Sequence, residues 1–118
     1  MEPILVISYN LRGFNQGFTV LKDVVQTSDI LFIQEHWLSS DRLCKLDISS
    51  DFLCFSKSAM DSAVGTGILG GRPFGGLAVY IHTRLQHDVE LIRAAERVII
   101  VKCCNVLVAN LYLPCYAI

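Results

Sequence analysis

The feature that most constrains the fold is a strand–helix–strand pattern in the first third of the chain. Two short apolar runs, Ile4–Tyr9 and Ile30–Gln34, predict buried strands. Between them, apolar residues recur at helical spacing at Phe18, Leu21, Val24 and Val25. Two strands joined in this way lie parallel in one sheet, with a right-handed crossover. The pattern therefore predicts an α/β fold in which both strands end at the same edge of the sheet.

The rest of the chain is richer in strands than in helices. We expect Asn15 or Thr19 to cap the first helix, and Ser39–Leu46 to form a second, short helix. Residues 58–76 form a long Gly-rich loop. Further strands are expected at Phe52–Phe55, Leu77–His82, Val89–Ile92, Arg97–Cys103 and Val106–Leu113. The last three leave no room for helices between them, so we expect an antiparallel meander and one mixed sheet overall.

Composition narrows the possible classes of protein. The 118 residues are enough for one domain, and a hydrophobic content of 53% with a mean hydropathy of +0.47 excludes a disordered tail. Ten Lys and Arg residues against eleven Asp and Glu exclude a general basic field for holding nucleic acid. No apolar run is long enough to span a membrane. The apolar excess and the strand that runs almost to Ile118 predict a partial domain with an uncovered sheet face, through which the chain could self-associate.

The cysteines and histidines do not show the spacing of a zinc site. No C-x-x-C pair occurs, and most of the five cysteines lie in apolar runs, so we expect reduced, buried thiols. We expect the three histidines to be surface residues or hydrogen-bonded core residues. These residues are Cys44, Cys54, Cys103, Cys104 and Cys115, with His36, His82 and His87.

Two polar residues follow directly on the two parallel strands. Asn10 follows the first strand and Glu35 the second, so both side chains should emerge at the edge of the sheet where open α/β folds bind ligands. A carboxylate and a carboxamide there suit a hard cation and a phosphate oxygen. Spacing alone nevertheless favours the simpler interpretation, in which Asn10 is a turn residue and Glu35 a solvated loop acid.

Four segments, taken in order, resemble a known superfamily. They are Ser8–Gly13, Ile33–Trp37, Gly75–Tyr80 and Asn110–Pro114. Together they resemble the endonuclease/exonuclease/phosphatase superfamily, which is DNase I-like, and they look most like the endonuclease domain of LINE-type non-LTR retrotransposons. The resemblance implies a four-layer α/β sandwich. Residues 1–118 would be the N-terminal half of this domain, with one mixed sheet and one main helix.

The resemblance also implies roles at the predicted catalytic site. Glu35 would be the acidic ligand of a catalytic Mg²⁺ or Mn²⁺, and Asn10 the amide at the same metal–phosphate site. Tyr112 would contact the scissile phosphate. The metal would stabilise the charge that develops on the phosphoryl oxygen, while Asn10 and Tyr112 hold the phosphate in line.

Three further residues are candidates for contact with DNA. Arg12 lies beside Asn10, and Arg72 lies in the Gly-rich loop, so either guanidinium could pair with a phosphate. Asn110 precedes Tyr112 by two residues and should face the same side of their strand. On this interpretation the intact parent protein would nick DNA, and it would act in the nucleus.

The chain also departs from the family pattern. AP-endonuclease-like relatives carry an acid where this chain has Arg12, although LINE-type members often do not. The later Gly-Asp-x-Asn motif and the terminal Asp-His pair have no match, so a general base and a charge-stabilising imidazole are missing. The sequence therefore leaves open whether this chain is an enzyme. The alternatives are an inactive remnant or partner-dependent fragment, and a phosphatase of the same superfamily.

Overall fold

A computed structural model describes residues 3–61 and 73–113. It contains one α-helix, α1, at Phe14–Thr27, and short 3₁₀ helices at Ser40–Leu46 and Thr83–Asp88. The strands are β1 (Val6–Asn10), β2 (Ile30–Gln34), β3 (Phe52–Lys57), β4 (Leu77–His82), β5 (Val89–Ala95), β6 (Val98–Cys103) and β7 (Val106–Leu111). The predicted order of elements is confirmed. None of the helices in the described residues has the length and apolar character needed to cross a bilayer.

The strands form two sheets, and the expectation of one mixed sheet was wrong. The first sheet has the order β1-β2-β4-β3, with β1 and β2 parallel and the other pairs antiparallel. The second is the antiparallel meander β5-β6-β7. The physical reason is that apolar residues on one face of β2 and β4 are buried against β6, so the meander packs on the face of the first sheet instead of extending its edge.

Alternation along β2 and β4 divides the core into two layers. Leu31 and Tyr80 face α1 and pack with Leu21. Their neighbours on the opposite face, such as Val79, pack against Val101 and other inward residues of β6. Because both faces of the first sheet are covered, its central strands are apolar throughout, as expected for a buried sheet.

The outer face of the second sheet is uncovered within the described residues. Leu107 and Leu111 on β7 are 64% and 59% exposed, whereas Asn110 between them on the strand points inward and is buried. Self-association through this face stays a prediction. The four described cysteines are free thiols, but the expectation that they are buried holds fully only for Cys103: Cys54 and Cys104 are half-buried, and Cys44 is exposed.

Helix α1 begins earlier than expected, and neither Asn15 nor Thr19 caps it. Gly13 occupies the N-cap position and makes no side-chain cap. Instead, the N–H groups of Gly13 and Phe14 donate to the carbonyl oxygens of Glu35 and His36, at 2.8 and 2.9 Å. The loop after β2 therefore satisfies donors that a capping side chain would otherwise take.

Candidate functional site

Asn10 and Glu35 meet at the edge of the first sheet. In the parallel pair of β1 and β2, Asn10 lies opposite Gln34, which is the last residue pair of the two strands. Glu35 is the next residue after this pair. The Asn10 amide Nδ2 donates a hydrogen bond to Glu35 Oε2. The structure thus brings the two predicted residues into direct contact.

The backbone after β2 is held in an unusual conformation. Glu35 and Trp37 both have positive φ angles, of 59° and 61°, which cost of order 1–3 kcal/mol each in a non-glycine residue. The cost is offset by hydrogen bonds from Glu35 N–H to the Gly76 carbonyl at 2.8 Å and from Trp37 N–H to the Gly75 carbonyl at 2.9 Å. Because the segment is bonded here to the two glycines that precede β4, and also to the start of α1 at Gly13, the position of Glu35 is fixed from two sides.

His36 anchors this segment in the core. Its side chain is fully buried, Nδ1 accepts a hydrogen bond from Leu38 N–H at 2.9 Å, and Nε2 donates to the Lys57 carbonyl at 3.0 Å. Burial away from water disfavours the charged imidazolium and lowers the pKa of His36 to about 4. His36 is therefore a neutral, hydrogen-bonded core residue, which was one of the two expected environments.

Gly76 is required beneath the His36 ring. A Cβ at this position would lie 2.2 Å from His36 Cε1, and the residue has a φ of 98°. Both facts exclude a side chain here without a shift of the ring.

The Asn10 side chain is also fixed by the loop that follows it. Arg12 N–H donates to Asn10 Oδ1 at 3.1 Å, so both ends of the amide have partners. Arg12 itself is exposed and has a φ of 54°. Arg72 lies outside the described residues.

A cavity of about 340 Å³ opens beside Glu35. Tyr112, which follows β7, lines the same cavity, so the structure brings together residues from both sheets. The cavity is lined by Glu35, Ala59, Phe74, Gly75, Glu96, Arg97 and Tyr112.

Glu96 and Arg97 line the cavity but were not among the candidate site residues of the sequence analysis. The register of the β6–β7 hairpin is the signal that could have found them. Because the hairpin turns at Cys104 and Asn105, Arg97 lies opposite Tyr112, and Tyr112 N–H donates to the Arg97 carbonyl at 3.1 Å.

Asn110 faces the same side of its strand as Tyr112, but it does not point to solvent. It is 1% exposed, and its amide bonds to the backbone of β2 and β4 and to the Gln34 side chain. A residue buried between two sheets cannot reach a DNA backbone, so the expectation that Asn110 contacts DNA does not fit this placement.

Within residues 3–61 and 73–113, no three or more His, Cys, Asp or Glu side chains cluster in a way that could hold a metal ion. Any cation at the edge of the sheet would therefore take few ligands from the described part of the chain. Glu35 and the Asn10 amide are the oxygen-bearing groups that meet there.

Comparisons with known proteins identify the architecture. No protein-family profile and no curated protein sequence matches the chain. Among solved structures, the 3′ phosphatase NExo (D146N) from Neisseria, bound to a product DNA hairpin, superposes with a TM-score of 0.64 and 20% identity. An AP endonuclease from Archaeoglobus fulgidus gives 0.64 and 16%, and the 3′-5′ exonuclease NExo from Neisseria meningitidis gives 0.59 and 20%.

The fold is DNase I-like. These superpositions cover 93%, 95% and 90% of this chain, respectively, but only 41%, 42% and 40% of the three structures. The chain thus spans about two fifths of the length of the proteins it resembles. At such low identities the likeness establishes the fold.

Proposed function

We propose that this chain is the N-terminal portion of a metal-dependent endonuclease of a LINE-like retrotransposon, and that the intact parent protein nicks DNA. The observation that carries the proposal is the contact between the Asn10 amide and the Glu35 carboxylate, beside a cavity that Tyr112 also lines. A carboxylate and an amide thus meet where two parallel strands end, beside a cavity that Tyr112 from the second sheet also lines.

The donor set fits Mg²⁺ or Mn²⁺. Mg²⁺ keeps several of its waters and is often bound through one or two carboxylates together with substrate phosphates. Glu35 would supply the carboxylate and Asn10 the amide oxygen at the same edge. When bound, the cation would stabilise negative charge on the phosphoryl oxygen.

The other residues would bind and orient the phosphate. The Tyr112 hydroxyl would donate a hydrogen bond to it, and the exposed Arg12 guanidinium would pair with a neighbouring phosphate of the strand. The bonds that fix the Asn10 amide keep this group in place before substrate arrives, which is the arrangement that favours electrostatic catalysis.

Two of the similar structures support DNA as the substrate. One holds a product DNA hairpin, and another is named as an AP endonuclease. The family motifs that the sequence resembles imply that the general base and the imidazole would come from a part of the parent protein outside residues 1–118. We therefore assign the activity to the longer protein and not to these residues alone.

The test is cleavage of supercoiled plasmid by the longer protein in Mg²⁺, with and without EDTA. We expect nicked circles that EDTA prevents, and a rate at least about a hundredfold lower in Glu35→Gln. Glu90→Gln is the matched control, because it removes a carboxylate at the opposite end of β5 from the cavity. Nicking by Glu35→Gln at the wild-type rate would refute the metal assignment. Hydrolysis of a phosphorylated lipid or nucleotide without nicking would favour the phosphatase alternative. Absence of both activities would favour the inactive remnant or partner-dependent fragment.

A further inference from the structure

The Asn110 side chain is bonded at both ends of its amide. Nδ2 donates to the carbonyl oxygens of Ile33 on β2 and Ala78 on β4, both at 2.9 Å, and Oδ1 accepts from Gln34 Nε2 at 2.8 Å. Both amide hydrogens are used, which explains how a carboxamide is accommodated at 1% exposure. Asn110 therefore fastens β7, in the second sheet, to two strands of the first.

These bonds lie next to the proposed site on both sheets. On β2, Ile33 precedes Glu35 by two residues, and Gln34 precedes it directly. On the second sheet, Asn110 precedes Tyr112 by two residues. The hydrogen bonds of Asn110 to β2 therefore lie within two residues of Glu35, and Asn110 itself lies two residues from Tyr112.

Apolar packing between the two sheets differs in kind from these hydrogen bonds. The intersheet core consists of apolar side chains such as Val79 and Val101. Apolar burial is non-directional, so it holds the sheets together without fixing how one slides over the other. A fully hydrogen-bonded buried amide is directional and selects one alignment.

We propose that Asn110 is a positioning residue that sets the alignment of Tyr112 relative to Glu35 across the two sheets. It touches neither substrate nor cation, and it acts through the backbone of Ile33 and the side chain of Gln34. This inference rests on the proposed function, because the alignment of Tyr112 with Glu35 matters only if both residues act at one catalytic site. It predicts that loss of the amide disturbs the site more than it disturbs the core.

The first test is amide hydrogen exchange on this chain, with Asn110→Ala compared with Val108→Ala. Val108 lies two residues earlier on the same face of β7, in the apolar intersheet core, and so controls for destabilisation. We expect Asn110→Ala to speed exchange at Glu35 N–H and Tyr112 N–H about five- to tenfold more than at the amides of β6. Val108→Ala should change all of these amides together. A uniform change in both variants would overturn the inference.

A milder variant guards against failure to fold. Gln34→Ala removes the partner of Asn110 Oδ1 and leaves the two backbone bonds in place. It should give the same pattern of exchange with a smaller amplitude. No selective change at Glu35 or Tyr112 in a folded Gln34→Ala protein would also count against the inference.

The second test is plasmid nicking by the longer protein. Asn110→Ala should lower kcat on the order of a hundredfold while KM changes little, because reacting groups are misplaced but substrate contacts remain. Val108→Ala should retain the wild-type kcat at a temperature where it is folded. Equal losses in both variants would assign Asn110 a structural role only. Absence of nicking by the wild type would refute the proposed function instead, and the exchange experiment would still decide whether Asn110 aligns the two residues.

Discussion

The buried His36 side chain makes the free energy of unfolding depend on pH. The structure indicates both the direction of this dependence and the pH range over which it occurs. Its pKa is about 4 in the folded chain, because burial disfavours the imidazolium, against an ordinary value of 6.5. The unfolded chain therefore binds a proton at pH values where the folded chain does not. Stability is fully present above pH 6.5 and is lost as the pH falls towards 4.

The size of the effect follows from the two pKa values. Each unit of pKa difference corresponds to 1.36 kcal/mol, so the full shift is worth about 3 kcal/mol. About 2 kcal/mol of this should already be lost at pH 5. That is a large share of the net stability of a domain this size, which is of order 10 kcal/mol.

Urea unfolding at a series of pH values between 7.5 and 5 measures this directly. The effect of His36 above pH 5 does not overlap with that of Asp29. The Arg84 guanidinium and the Leu5 N–H lower the pKa of Asp29, so its contribution to stability is lost only in more acidic solution. His36→Gln should abolish the slope even though it lowers stability at every pH. His87→Gln, at an exposed position, should keep the slope. A free energy of unfolding that stays constant from pH 7.5 to 5 in the wild type would refute the assignment of His36 as a neutral buried base.

Three further predictions concern single substitutions. Gly76→Ala should destabilise the chain by about 3 kcal/mol or more, measured by urea unfolding, because its Cβ would overlap the bonded His36 ring at an unfavourable φ; an unchanged midpoint would contradict this. Tyr80→Phe should cost about 1–2 kcal/mol, because the Tyr80 hydroxyl donates to the buried Leu46 carbonyl at 2.8 Å; a stability within error of the wild type would mean that the carbonyl has another partner. Tyr112→Phe should lower kcat for nicking by the longer protein about a hundredfold with little change in thermal stability; equal losses of activity and stability would show that the hydroxyl is structural.

The order of elements could be predicted because periodicity and turn residues are local signals. Ile30–Gln34 and Leu77–His82 were predicted with the bounds that the structure has. The start of α1 could not be, because its first donors bond to the loop after β2 and not to a side chain nearby in sequence. The division into two sheets was missed for the same reason, since it depends on contacts between strands far apart in sequence, such as those of β4 and β6.

The same distinction applies to the site. The contact of Asn10 with Glu35 could be predicted from the sequence, since parallel strands bring the residues that follow them to one edge of a sheet. Alternation along β7 also predicted that Asn110 and Tyr112 lie on the same face of the strand. The sequence did not predict what that face packs against, because this depends on how the second sheet lies on the first. Asn110 is in fact buried between the sheets.

Paramagnetic broadening of NMR signals by Mn²⁺ would locate the cation on this chain. We expect the Asn10 side-chain amide and the Glu35 carboxyl carbon to broaden at the lowest Mn²⁺ concentration. Glu35→Gln should abolish this effect, while Glu90→Gln should leave it intact. Broadening that centres on another part of the surface, or that survives in Glu35→Gln, would contradict the assignment of this edge as the metal–phosphate site.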